Sequence, residues 1–339
     1  MTRGVPAPAG DIDEGVAWHY GDPHAEQRLL VSGRGVVDLS HFDVVTVSGP
    51  DRLTWLHALT TQHLEQLTAG SSALALILSP HGHVEYELHL VDDGVTTWII
   101  TQPGTASALV TYLESMKFMT RVEITVRSSE YAVVWEPTTD IDPEFPTWVV
   151  PADFAGTGRV DAGSDRGGTA DKYVPNRPHA FPGREVILPR AVLKERLSGE
   201  RAGTWAWNAL RVAAAVPRLG SETDHRTLPH EVGWIGPAVH LAKGCYRGQE
   251  SVARVHNMGR PPRRLALAHL DGSEEVLPVH GDPVFLGGSE VGWVGTAARH
   301  YELGPIATVV VKRSVPEDST ITIRHADSEV AGSLETVVV

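Results

Sequence analysis

Lys243-Gly-Cys-Tyr-Arg-Gly-Gln-Glu250 is the stretch on which the reading of this chain turns. It holds the only cysteine, with a lysine two residues before it and an arginine two residues after it. Gly244 and Gly248 let backbone come close to a ligand. A cysteine that merely fills a core has apolar neighbours. Cys245 has charged, aromatic and glycine neighbours, which is the composition of a site. Lys243, Arg247 and Arg254 would favour a thiolate there, and a thiolate serves as nucleophile, redox sensor or soft-metal ligand. A lone cysteine cannot hold an iron–sulfur cluster by itself. Cluster contact would need a second chain, a partner or a small thiol.

Outward from this stretch, charge is the next signal. Six basic residues and one acid lie between Lys243 and Arg264, in a chain of formal charge −13. Anion binding is therefore expected to concentrate in this segment, and non-specific nucleic-acid binding by the whole surface is disfavoured. The 339 residues are enough for two or three domains, and 42% apolar content suits an ordinary globular protein. With one cysteine the fold must rest on packing. The opening residues lack the apolar core of a signal peptide, and the longest apolar run is Ala73–Leu78. A cytoplasmic protein without membrane contact is expected. No pair among the seventeen histidines has a helical zinc spacing, so no metal site is expected, and His81-Gly-His83 reads as a solvated turn. No G-x-S-x-G turn supports a nucleophilic hydrolase.

Along the chain, residues 1–26 are rich in Gly, Pro and acids and read as loosely held. A strand over 42–48 leads through Gly49-Pro50-Asp51 into a helix whose leucines share a face until Gly70. Strands over 73–79, 84–91 and 95–101, a helix over 106–118, and strands over 121–127 and 131–136 follow. This alternation predicts an α/β lobe with helices on one face. Residues 136–183 repeat Pro, Gly, Asp and Thr and read as a long excursion. Helices are predicted over 190–198 and 204–216. From Leu265 the strands are short and closely spaced, which predicts a small antiparallel barrel hinged at 260–264.

The octapeptide K-G-C-Y-x-G-Q-E resembles the signature of the YgfZ proteins, folate-binding relatives of the glycine-cleavage T protein (GcvT, an aminomethyltransferase). Asp38–Phe42, Val47–Asp51 and Leu59–Thr61 look like that family's opening. Asn208-Ala-Leu-Arg211 and Pro229-His-Glu231 precede the octapeptide in the family's order, and Arg254, Gly259 and Arg263-Arg264 follow it. The likeness covers about residues 27–313.

The resemblance implies an α+β fold: two α/β (ferredoxin-like, GcvT-like) lobes within 27–258 and a C-terminal antiparallel β-barrel over 259–339. It implies that these form a three-lobed ring around a central channel. It implies tetrahydrofolate or a related folate as cofactor. Glu231 falls on the acid the family uses for the pterin. Lys243, Tyr246, Arg254 and Arg211 are expected to complete the folate site, and Cys245 is expected to be the functional thiol. Aminomethyltransferases carry an aspartate where this chain has Glu85 or Glu87, and the register between these two is open. They also have Asp-Phe in place of Cys245-Tyr246. Both differences point away from glycine cleavage. The expected role is a folate-binding accessory protein supporting assembly or repair of iron–sulfur proteins, including tRNA-modifying enzymes. Its partners are then iron–sulfur proteins or their assembly factors, with direct tRNA contact left open. The alternative is a folate-dependent one-carbon transferase.

Overall fold

The structure, a computed structural model, describes residues 4–156, 175, 177–273 and 276–338. A short ribbon opens the chain, β1 (Val5–Pro6) pairing with β2 (Ala17–His19), followed by α1 (Pro23–Val31) and β3 (Val36–Asp38). The next unit comprises β4 (Asp43–Ser48), α2 (Arg52–Leu59), β5 (Ser72–Leu78), β6 (Val84–Asp92), β7 (Thr96–Thr101), α3 (Ala106–Ser115) and β8 (Glu123–Val126). Its five strands form an antiparallel sheet in the order β5-β6-β7-β4-β8.

The chain then returns to the first unit. It adds β9 (Tyr131–Glu136), β10 (Thr147–Val149), α4 (Ala152–Ala155), β11 (Arg184–Pro189), α5 (Arg190–Arg196), β12 (Arg201–Ala202) and α6 (Thr204–Ala213). The sheet order is β10-β11-β9-β3-β12. One lobe is thus inserted between β3 and β9 of the other. A 3₁₀ turn at Pro229–Val232 and α7 (Gln249–Met258) lead to a closed six-stranded barrel. Its strands are β13 (Arg263–Leu270), β14 (Pro283–Leu286), β15 (Ser289–His300), β16 (Gly304–Lys312), β17 (Thr320–His325) and β18 (Ser328–Thr336). β18 bonds back to β13 and removes the free edges. The fold is therefore α+β, as the sequence predicts.

Strand alternation sorts the side chains. Tyr86, Leu88 and Leu90 of β6 face α2 and α3, in a core with Leu56, Leu109 and Leu113. Val186 and Leu188 of β11 face Val192 and Leu193 of α5. The opposite faces of both sheets meet α6 and the barrel wall in one core that includes Leu74, Leu76, Trp135, Ile187, Trp207 and Val310. Each fully buried side chain of this kind contributes about 1.5–3 kcal/mol. This shared core is what brings residues of both sheets to one central cavity.

Two local readings need correction. Residues 4–26 are not loosely held. The β1–β2 ribbon forms, the Asp22 side chain accepts the His24 and Ala25 N–H groups to cap α1, and Asp13 is 1% exposed. A buried carboxylate needs partners, and Arg218, His41 and Asn208 supply them from distant parts of the chain. α2 ends at Leu59 rather than near Gly70. There tertiary bonds win over helix propensity: Thr61 Oγ1 donates to Ala238 O at 2.7 Å and His240 N–H donates to Thr61 O at 2.9 Å. Within the expected excursion, β10 and α4 are formed, while 157–174 and 176 lie outside the described residues. Among the described residues, no helix is long and apolar enough to cross a membrane.

Candidate active site: a carboxylate and tryptophan cavity

A narrow cavity of about 40 Å³ lies between the two sheets and α6. One cross-strand row builds its floor. Trp148 of β10 pairs with Glu185 of β11, and Glu185 pairs with Trp135 of β9. Trp148 is fixed by its Nε1–H, which donates to Ala73 O at 3.0 Å. Trp135 packs over Gly183, where a Cβ would come within 2.3 Å of the indole. Glu87 and His89, two residues apart on β6, project from the other sheet into the same space.

The carboxylates and the imidazole are coupled. His89 Nδ1 lies 2.7 Å from Glu185 Oε2, and its Nε2 lies 3.5 Å from Glu87 Oε1. The imidazole stacks on Trp148 with centroids 3.8 Å apart and planes at 9°. Burial opposes a charge on His89, but Glu185 and then Glu87 outweigh it and raise its pKa to about 10. His89 is therefore an imidazolium at neutral pH, donating from both nitrogens. Glu87 Oε2 also accepts the Leu219 N–H at 2.9 Å.

Basic residues line the far wall. Arg218 donates to Asp13 at 2.7 Å and to Gln102 at 2.8 Å, with Phe42 and Trp207 beside its guanidinium. Burial would raise the Asp13 pKa, yet Arg218 and His41 hold it well below the usual carboxylate range. Arg218 Nη2, Trp135 Nε1 and Trp207 Nε1 are buried without a hydrogen-bond partner. Such donors are expensive to leave unmade, so they mark a place where a ligand's acceptors would be stabilised.

Of the residues picked out from sequence, Glu87 and Arg211 line this cavity. Glu85 does not. The β5–β6 pairing passes from Ile77↔Tyr86 to Leu78↔Val84, so a bulge at Glu85 breaks the alternation and sends this side chain out to Arg247 at 3.0 Å. Of the two acids, it is Glu87 that lines the cavity. Arg211 spends its donors on structure: Glu222 at 2.9 Å, Val216 O at 2.7 Å and Thr296 at 2.7 Å.

Glu231 lies apart from this cavity. It is fully buried, accepts from Arg263 at 2.8 and 3.0 Å, and caps the Leu228 N–H at 3.0 Å. It staples the 3₁₀ turn to the first barrel strand and does not line the cavity. Lys243 is likewise turned inward, onto the carbonyls of His57 and Thr60 at the end of α2. Burial lowers its pKa to about 8. Tyr246 is buried, its ring 5.1 Å from the Lys243 ammonium, and burial pushes its hydroxyl pKa up to about 12. Arg254 is exposed and pairs with Glu250 one turn earlier on α7.

The expected basic patch is therefore largely neutralised by Glu85, Glu250, Asp224 and Glu231. Cys245 remains an exposed free thiol. Gly248 accounts for the tight turn beside it. Its φ is +81°, and a Cβ would come within 2.5 Å of Ser79 O.

Sequence reasoning missed Glu185, His89, Trp148, Arg218 and Asp13. The available signal was an acid on the face of β11 that also carries Ile187. A second cluster, His57, His63 and Glu65, brings ligand-type atoms within 4.8 Å of one another. There the Leu64 N–H at 3.2 Å already takes a lone pair of His57 Nδ1.

Residues 17–135 match the GCVT N-terminal domain. The chain is thus similar to GcvT-like proteins over its first third and shares their fold. It is 25% identical over 296 residues to an aminomethyltransferase of Listeria monocytogenes, covering 83% of this chain and 78% of that one. It is 24% identical over 293 residues to a mitochondrial iron–sulfur cluster assembly factor IBA57 homolog of Chaetomium globosum, covering 78% and 63%. The solved glycine cleavage system aminomethyltransferase T of Bartonella henselae superposes with a TM-score of 0.72 at 18% identity, over 97% of this chain and 92% of that one. That last likeness establishes the GcvT-like fold.

Proposed function

We propose that this GcvT-like protein binds tetrahydrofolate or a related folate through the central cavity. In the same reading it acts as an accessory protein in assembly or repair of iron–sulfur proteins, tRNA-modifying enzymes among them. One observation carries the folate part. A fixed tryptophan platform, two carboxylates and three residues with unpaired N–H groups line one narrow cavity. A pterin offers a flat face for Trp148, N–H donors for Glu185 or Glu87, and a carbonyl for Arg218. The fit is chemical. At about 40 Å³ the cavity must widen to admit the whole ring system.

The accessory role is supported by the likeness to the IBA57 homologues and by the exposed Cys245. Glu231, Lys243, Tyr246 and Arg254 have no part in the proposed pocket, and Arg211 serves as its wall. Calorimetry with 5-formyltetrahydrofolate tests the reading. Saturable binding that weakens in Trp148→Leu is expected. Absence of binding to the wild type overturns it.

A second reading, folate-dependent one-carbon transfer, has Glu87 in its favour, because this carboxylate faces the cavity. Transfer of an aminomethyl carbon to tetrahydrofolate, forming methylenetetrahydrofolate as ammonia leaves, lost in Glu87→Gln, would establish it.

A further inference from the structure

His89 is held in the way a ligand would be held. Its ring lies flat on Trp148, whose own N–H is pinned to Ala73 O, so the platform exists independently of His89. Its two nitrogens point at two carboxylates on different sheets. Its side chain is 12% exposed and forms part of the wall of the small cavity. A planar group with N–H donors on its edge thus already occupies the place between Glu185 and Trp148. Beyond it lie donors with no acceptor, on Arg218, Trp135 and Trp207.

We propose that His89 is a resident plug of the ligand site. A planar heterocycle bearing adjacent N–H donors takes over the Trp148 face and Glu185 only when the His89 ring swings away. The ligand class follows from the contacts: an amidine-like or 2-aminopyrimidine-like edge for Glu185, and a carbonyl for the unpaired donors. This rests on the folate reading for the natural ligand, and the pterin has such an edge. The plug itself is a property of the pocket. Its consequence is selectivity. A ligand with acceptors alone cannot replace the imidazolium between two carboxylates, and every true ligand binds more weakly by the fraction of time the plug is in place.

The experiment uses the full chain, wild type and His89→Ala, with His89→Gln as the milder change should the alanine variant not fold. Calorimetry is run with 5-formyltetrahydrofolate and, separately, with free imidazole. The expected result is folate affinity about 10-fold higher in the variant than in the wild type. Imidazole should bind the variant alone. Equal or weaker folate binding in the variant overturns the plug. If neither protein binds folate, the folate reading fails by itself and the imidazole arm decides. Imidazole binding restricted to the variant then sustains the plug, and no imidazole binding removes it. In the wild type, nitrogen NMR of the His89 ring must change when the ligand is added. An unmoved His89 signal in a saturated complex also overturns the proposal.

Discussion

The octapeptide and the central cavity are opposites. The octapeptide is conspicuous in sequence, local, and mostly satisfied: its charges are paired and its thiol faces solvent. The cavity is inconspicuous in sequence, assembled from strands far apart, and left with open hydrogen-bonding capacity. The contrast separates two jobs that the sequence reading had merged at one place. Folate chemistry belongs to the cavity in this proposal, and contact with partners belongs to the exposed turn.

The contrast is sharpest in ion pairs. Arg211–Glu222 has side chains 2% and 0% exposed, whereas Arg254–Glu250 has side chains 71% and 89% exposed. Arg211→Met should cost about 3–5 kcal/mol in urea denaturation, because Glu222 is left as a buried charge with no cation beside it, held only by the Arg218 N–H and the Thr296 and Thr308 hydroxyls. Arg254→Met should change stability by less than about 1 kcal/mol. Similar losses in the two variants would erase the distinction between the regions.

The pH dependence of stability comes next in size. His89 has its folded pKa raised from 6.5 to about 10, so its contribution is fully present below pH 6.5 and is lost as pH rises toward 10. Burial opposes the charge, and Glu185 from β11 followed by Glu87 on its own strand outweigh it, while Arg211 and Arg218 line the same cavity. Lys243 acts in the opposite sense. Burial lowers its pKa to about 8, which disfavours the fold at low pH and relaxes as pH rises. The wild type minus His89→Gln difference in unfolding free energy isolates the cavity. It should shrink by a few kcal/mol between pH 6.5 and 10. A flat difference would show that His89 is not held as an imidazolium.

Glu185 in the cavity and Glu231 in the 3₁₀ turn can be set against each other. Glu185→Gln should weaken folate binding by about 1–3 kcal/mol. Glu231→Gln should leave affinity unchanged and lower stability instead, by loosening Arg263. The reverse pattern would return the site to the 3₁₀ turn.

How far the sequence reaches follows from the same contrast. The order of sheets and barrel was legible because strand alternation and turn spacing are local signals. The barrel's last strand, β18, leaves a weak signal because its Ser, Glu and Gly positions blur that alternation. Glu87 against Glu85 was undecidable because a bulge of one residue reverses the answer and leaves no local mark. Glu185 stands beside Arg184 just after a Pro/Gly-rich stretch, with no motif to mark it. In the fold Arg184 turns to Glu136 and Asp142 on the other face. Asp13 and Arg218 are 205 positions apart, and no spacing rule joins them. The basic excess around Cys245 was real in the sequence and misleading in space, since Glu85, Asp224 and Glu231 bring counter-charges from other elements.

The smallest physical effect is expected at Cys245, and it tests the comparison from the other side. The thiol is exposed, its residue lies in a loop just before α7, and a Cβ added at neighbouring Gly244 would meet open space. Cys245→Ser removes no packing and strands no buried partner, so unfolding free energy should change by less than about 0.5 kcal/mol. Folate affinity should not change, because the cavity lining does not include this residue. Alkylation by iodoacetamide should proceed in the folded protein, and saturating folate should leave its rate unaltered. If the turn is where iron–sulfur partners are met, the serine variant should nevertheless fail to support iron–sulfur enzymes in a complementation assay. Folate protection of the thiol would join the two regions into one site. Full complementation by Cys245→Ser would leave the turn with a purely structural role, while the cavity proposal would stand unaffected.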